Sequence, residues 1–172
     1  MSECIEFFPA SSDEKAKAAV GGPVMAATNW LDEVSTCVAG ELERLGWYRE
    51  RSVDVSLWAA EITGDGFGFF GVARQFLESF GGMELVRSDG TGSLVVDPTE
   101  VQGYRDVPFV GWPARFDQQF CPIGVWDDIH SVFVGSAGLV LTCLDAGYTR
   151  RVADSPAEAL HAFLCGDRSR LL

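Results

Sequence analysis

Two histidines, five cysteines and a set of carboxylates at turn positions are the side chains in this 172-residue chain from which chemistry could be built. A hydrolase or transferase needs a nucleophile beside a base, a pair of carboxylates, or a metal constellation. Cys121, His130 and Asp128 make the best nucleophile, base and carboxylate grouping available, and a structural reading stands beside it: His130 opens a predicted strand and flanks a turn, where it would order the hairpin. His161, set between Leu160 and Ala162-Phe163, reads as a half-buried packing residue on a C-terminal helix. Cys4, Cys37, Cys121, Cys143 and Cys165 are odd in number and widely spaced, with no Cys-x-x-Cys pair and no adjacent histidine cluster. They read as small core hydrophobes rather than metal ligands, in keeping with a reducing interior. Gly64-Asp65-Gly66-Phe67-Gly68 has the glycine content of a phosphate cradle but lacks the following lysine and the strand-to-helix setting. No catalytic residue, metal site or cofactor is therefore expected.

What remains is a surface. Asp89, Asp127, Asp128 and Asp145 fall at predicted turns, where side chains project beyond a sheet, with Glu84 and Asp65 as weaker candidates and Trp126 as a candidate apolar anchor. Aspartate is also an ordinary turn residue that bonds its own backbone, so each carboxylate has a purely structural reading as well. Asp97 before Pro98 is read as structural alone. The formal charge of −12 argues against a sequence-independent nucleic-acid binder, which needs Lys and Arg to displace counterions from phosphate. The same charge suits a basic partner, or simply keeps the protein soluble. Aromatic stacking platforms for bases sit in basic grooves, so Trp47, Trp58, Phe76 and Phe80 are assigned to the core.

The elements that must position these groups follow from periodicity. Leu31, Val34, Val38, Leu42 and Leu45 recur at three and four residues, predicting an amphipathic helix over 31–45 with Asn29 or Thr28 as its cap. Shorter helices are predicted over 56–63 and 72–80, with Gly46 and Gly81 closing helix ends. Strands at 83–86 and 93–96 flank Asp89-Gly90-Thr91-Gly92, a hairpin turn sequence. Residues 99–118 read as a loop followed by a short helix near 113–119. Phe109, Val110 and Trp112 there would form an apolar contact patch if exposed. Strands at 121–126, 131–135, 138–144 and 148–152 form a meander with turns at Asp127-Asp128, Ser136-Ala137 and Asp145-Ala146-Gly147. Ser155-Pro156-Ala157-Glu158 then starts a last helix with a capping box, running to about 164 with Gly166 as its cap.

Helices, then a meander, then one closing helix predict an α+β single domain: an antiparallel or mixed sheet of five to six strands, with helices packed mainly on one face. Its length suits one domain, and 47% hydrophobic residues supply a core. Residues 1–28 mix Ser, Ala, Gly, Pro and charges without periodicity and are read as an arm preceding a domain at 29–172, although Ile5, Phe7 and Phe8 would prefer cover. No apolar run approaches the roughly 20 residues that span a bilayer, so no membrane association is expected. Glu3 and Glu6 stand where a secretory signal would be basic, and the expected compartment is the cytoplasm.

Three ordered blocks carry a family resemblance. Leu45-Gly46-Trp47 leads through Arg51-Ser52-Val53-Asp54 and Trp58 to Phe76-Leu77-Glu78-Ser79-Phe80-Gly81-Gly82-Met83-Glu84-Leu85. Cys121-Pro122-Ile123-Gly124-Val125-Trp126-Asp127-Asp128 precedes His130-Ser131-Val132-Phe133-Val134 and Ala137-Gly138-Leu139-Val140, resembling a Pro-Ile-Gly turn with paired strands. Glu158-Ala159-Leu160 and Gly166 resemble a closing helix. Over about 30–166 the chain resembles the third branch of the SUKH superfamily, the Smi/Knr-like proteins. The resemblance implies the SUKH fold and a non-enzymatic bacterial immunity protein that binds and neutralises a cognate polymorphic toxin, a nuclease or nucleic-acid deaminase with a basic cleft. The alternative it carries is a regulatory adaptor, as eukaryotic members of the superfamily resemble. The long N-terminal arm and the apolar 107–112 segment depart from the family pattern.

Overall fold

In the computed structural model, which describes residues 29–101, 111–144 and 148–166, the amphipathic stretch at 31–45 is two elements rather than one. Ser35 is extended and its hydroxyl accepts from the Val38 amide at 3.4 Å, so it caps α1 (Thr36–Arg44). The residues before it make a 3-10 turn, Trp30–Glu33, capped by the Asn29 side chain. A serine that bonds its own backbone competes with helix continuation, and periodicity alone does not register that. At the far end Gly46, at φ 83°, closes α1 as expected: its amide bonds the Glu43 carbonyl at 3.0 Å and the Trp47 amide bonds that of Leu42 at 2.9 Å. This reversal seats Trp47 on Phe80, ring centroids 5.6 Å apart.

Helices α2 (Ser56–Gly64) and α3 (Gly71–Phe80) fall where periodicity put them. Six strands then form one antiparallel sheet in sequence order: β1 (Glu84–Val86), β2 (Ser93–Val95), β3 (Phe120–Trp126), β4 (His130–Gly135), β5 (Val140–Leu144) and β6 (Tyr148–Ala153). The outer edge of β1 is blunted by Arg44, which donates to the Val86 carbonyl at 2.6 Å. β3 covers the strand predicted at 121–126, and Pro122-Ile123-Gly124, which the family resemblance gives as a turn, lies inside it at a register shift against β4. Gly124 is required there by the neighbouring strand, because a Cβ would collide with the Val95 carbonyl of β2.

One face of the sheet contributes Leu85, Leu94, Ile123, Trp126, Val132 and Val134 to a core shared with α1, α2, α3 and α5 (Pro156–Leu164). The other contributes Val125, Phe133, Leu141 and Cys143 to a smaller core under α4 (Trp112–Phe116), which ends at left-handed Asp117. The result is an α+β single domain with helices mainly on one face. Trp112 is buried edge-on against Phe120 at 5.4 Å and Phe133 at 5.3 Å, so it does not join an exposed patch. Phe109 and Val110 lie outside the described residues, as does the arm at 1–28. The capping box of α5 forms in a shifted version: Ser155 Oγ accepts from the Glu158 amide at 3.2 Å, while Glu158 reaches back past the cap residue to the Asp154 amide at 3.1 Å.

The cysteine reading needs correction. Cys121 and Cys143 are buried thiols, but Cys37 and Cys165 form a disulfide between the first turn of α1 and the C-cap of α5, Cα atoms 6.5 Å apart. Their 128-residue separation hides the pairing from any spacing argument. Cys4 lies outside the described residues.

Candidate functional site

Strict antiparallel order puts the β1–β2 and β3–β4 turns at the same end of the sheet, because β2 and β3 pair Leu94 with Trp126 and Val95 with Val125. Hydrogen bonds stitch the two tips together. The Asp127 amide donates to the Ser93 carbonyl at 2.9 Å, and the Ser93 amide donates to Asp127 Oδ1 at 3.1 Å. Gly92 permits this approach: a Cβ there would stand 2.6 Å from the Trp126 ring and 2.7 Å from Asp127 Oδ1. Asp127 and Asp128 both adopt left-handed backbone, φ 50° and 61°, a conformation aspartate tolerates better than most residues. The turn thus holds two carboxylates at its apex.

Between the tips lies an open groove of about 460 Å³ whose walls include Glu84, Asp127 and Asp128. Three of the carboxylates singled out from sequence therefore meet here. Ile129, 59% exposed, stands among them as an apolar side chain. Asp89 flanks the groove in the β1–β2 turn and is already engaged: it accepts from the Thr91 hydroxyl at 2.6 Å, the Thr91 amide at 2.9 Å and Arg87 Nε at 3.2 Å. Bonds from Thr91 and then from Arg87 hold its carboxyl well below the usual carboxylate range.

Arg87 carried no signal in the sequence. It is only 8% exposed, and besides Asp89 its guanidinium donates to the carbonyls of Phe163 at 3.1 Å, Ala162 at 3.4 Å and Gly166 at 2.9 Å. It thereby caps the C-terminus of α5, where free carbonyls and the helix dipole favour a cation. The long-range partners could not be inferred from neighbours in the chain. Ile129 had a weak signal, an isoleucine directly after Asp127-Asp128, outweighed by the larger Trp126 on their other side.

Trp126 is not at the surface. It is fully buried with its ring 5.0 Å from Phe163, so its part is to support the turn from below, which corrects its reading as an anchor. Asp65 sits elsewhere, at the C-cap of α2, in a segment tied to the opposite end of the sheet by the Gly68 amide donating to Phe120 at 3.3 Å. Asp145 lies outside the described residues.

The Cys121, His130, Asp128 grouping is not assembled. Cys121 pairs with Val134 and His130 with Trp126, which separates them by four residues along β4, about 13 Å at strand rise. Burial also pushes the Cys121 thiol up to about 12, so it stays protonated. His161 is exposed rather than half-buried, with Nδ1 3.3 Å from Ser35 Oγ. Among the described residues no group of three or more His, Cys, Asp or Glu side chains could hold a metal ion. Nor is any helix among them long and apolar enough to cross a membrane.

A family model described as SUKH-3 immunity protein matches residues 34–166, a span that contains α1 through α5, the whole sheet and both groove turns. No curated protein and no solved structure matches the chain.

Proposed function

The chain belongs to the SUKH-3 immunity protein family, and from that premise we propose that it neutralises a cognate protein toxin by docking the acidic corner of its sheet against a basic surface of that toxin. The observation that carries this reading is the meeting of Glu84, Asp127 and Asp128 around a groove beside exposed Ile129. Stable capture needs an apolar anchor within a polar rim, and this corner supplies both. Its carboxylates suit the cleft of a nuclease or nucleic-acid deaminase, where they would compete with phosphate for the same cations. On this reading the protein acts in the cytoplasm by occlusion, with no covalent step. Asp65, remote from the groove, has no part in it. Asp145 remains a proposed contact.

The test is co-expression with the toxin encoded next to this gene. Cells carrying the wild-type protein survive, and the two proteins co-purify. Death of those cells despite abundant folded protein sinks the pairing. An isolated gene with no toxin neighbour would move the balance to the adaptor reading.

A further inference from the structure

The end of α5 is held from both sides. On one side Cys165, its C-cap, is disulfide-bonded to Cys37, which lies exposed on α1. On the other, Arg87 takes the terminal carbonyls of Phe163 and Gly166 at 3.1 and 2.9 Å and passes to Asp89 at 3.2 Å. A continuous series of covalent and hydrogen bonds thus runs from an accessible disulfide to the turn that flanks the acidic groove. The apolar faces of α1 and α5 already meet in the core through Val38, Leu42, Leu160 and Leu164. The disulfide therefore adds constraint at a helix end, where fraying is otherwise cheap.

We propose that Cys37 and Cys165 form a reversible thiol–disulfide clasp whose closed state orders the Arg87–Asp89 turn beside the groove. In closing, the Cys37 thiolate attacks a low-molecular-weight disulfide such as oxidised glutathione and displaces one glutathione thiolate. The Cys165 thiolate then attacks the Cys37 sulfur of that mixed disulfide and displaces the second. Two protein thiols are oxidised to one disulfide, oxidised glutathione is reduced to two thiols, and the two thiol protons leave with them; reduction runs the same steps backwards. Cys37 is the entry point because it is exposed, whereas Cys165 is partly covered. Buried Cys121 and Cys143 stay out of the exchange. The clasp and its effect on the turn stand apart from the proposed function.

The experiment uses the full chain, equilibrated in oxidised or in reduced glutathione, with thiol alkylation read by mass spectrometry and amide hydrogen exchange read residue by residue. Cys37 and Cys165 are expected to alkylate only after reduction, and together. The Arg87 and Gly90 amides, bonded within the turn to the Gly92 and Arg87 carbonyls, are expected to exchange at least about tenfold faster once the clasp opens, and to recover on reoxidation, while Gly135 and Ser136 at the opposite end of the sheet keep their rates. Arg87→Lys should show the fast turn in both redox states, and so should Cys37→Ser, which serves if the Arg87 variant does not fold. Alkylation of Cys37 in the oxidised sample, unchanged exchange at Arg87 and Gly90, or a uniform change across the sheet overturns the proposal. Because no toxin enters this measurement, a failed co-expression test leaves it intact, and the reverse holds too.

Discussion

Trp126 and Ile129 are three residues apart on the same hairpin and have opposite fates. Trp126 packs on Phe163 in the core, while Ile129 stands 59% exposed at the groove. Trp126→Ala should cost about 3–5 kcal/mol by leaving a cavity, visible as a lower denaturation midpoint. Ile129→Ser should leave stability within about 0.5 kcal/mol of wild type yet weaken toxin binding by more than about 1 kcal/mol, read by calorimetry. The pair of variants separates support from contact. Residue type pointed to Trp126 as the anchor, since large aromatics favour interfaces. Its true orientation depends on the register shift at Pro122/Gly124, which breaks the alternation of faces along β3 and puts Trp126 on the same core as Cys121 and Ile123. Distance along the chain hid Arg87, whose carbonyl partners on α5 are 75 to 79 positions away. Cys121 gives a pH test at this scale. Its thiol has an ordinary value of 9.0 when unfolded and is pushed up to about 12 by burial in the fold, so the unfolded chain ionises first as pH rises. Stability is unaffected below pH 9 and falls between there and about 12, by up to about 1.4 kcal/mol per pH unit, a slope that Cys121→Ala should lack in alkaline denaturation curves.

Elements with one clear period are legible in the sequence alone. Helix α3, the capping box of α5, the Asp89-Gly90-Thr91-Gly92 hairpin and the closing meander all fall where their apolar spacing and turn chemistry place them. Elements that depend on competition are not. The stretch at 31–45 has an unbroken helical period, but Ser35 diverts its own backbone and divides it. The strand predicted at 121–126 is present, but its register shift at Pro122–Gly124 is set by β2 and β4 on either side and not by its own residues. Gly124→Ala tests that placement. With the Val95 backbone already where the new methyl must go, the β2–β3 pairing should open at a cost of at least about 2 kcal/mol, seen in the midpoint of chemical unfolding. A true turn glycine of ordinary φ would lose far less.

At the scale of the whole molecule, the charge of −12 suits a cationic partner or solubility alike; the fold decides where the carboxylates gather. Antiparallel order gathers the β1–β2 and β3–β4 tips at one end, and Gly92 lets them close on each other. Composition could not show this convergence, because it depends on β2 pairing with β3 across 24 intervening residues, from 96 to 119. Fields from exposed carboxylates fade over about 8 Å at physiological salt, so their contribution belongs to the encounter more than to the final complex. The most direct measurement is the rate at which the cognate toxin associates with wild type and with the Asp127→Asn, Asp128→Asn double variant, at low and at high ionic strength. A severalfold slower rate for the variant at low salt, shrinking as salt is added, is what an acidic docking corner predicts. Equal rates for the two proteins at both salt concentrations would contradict it.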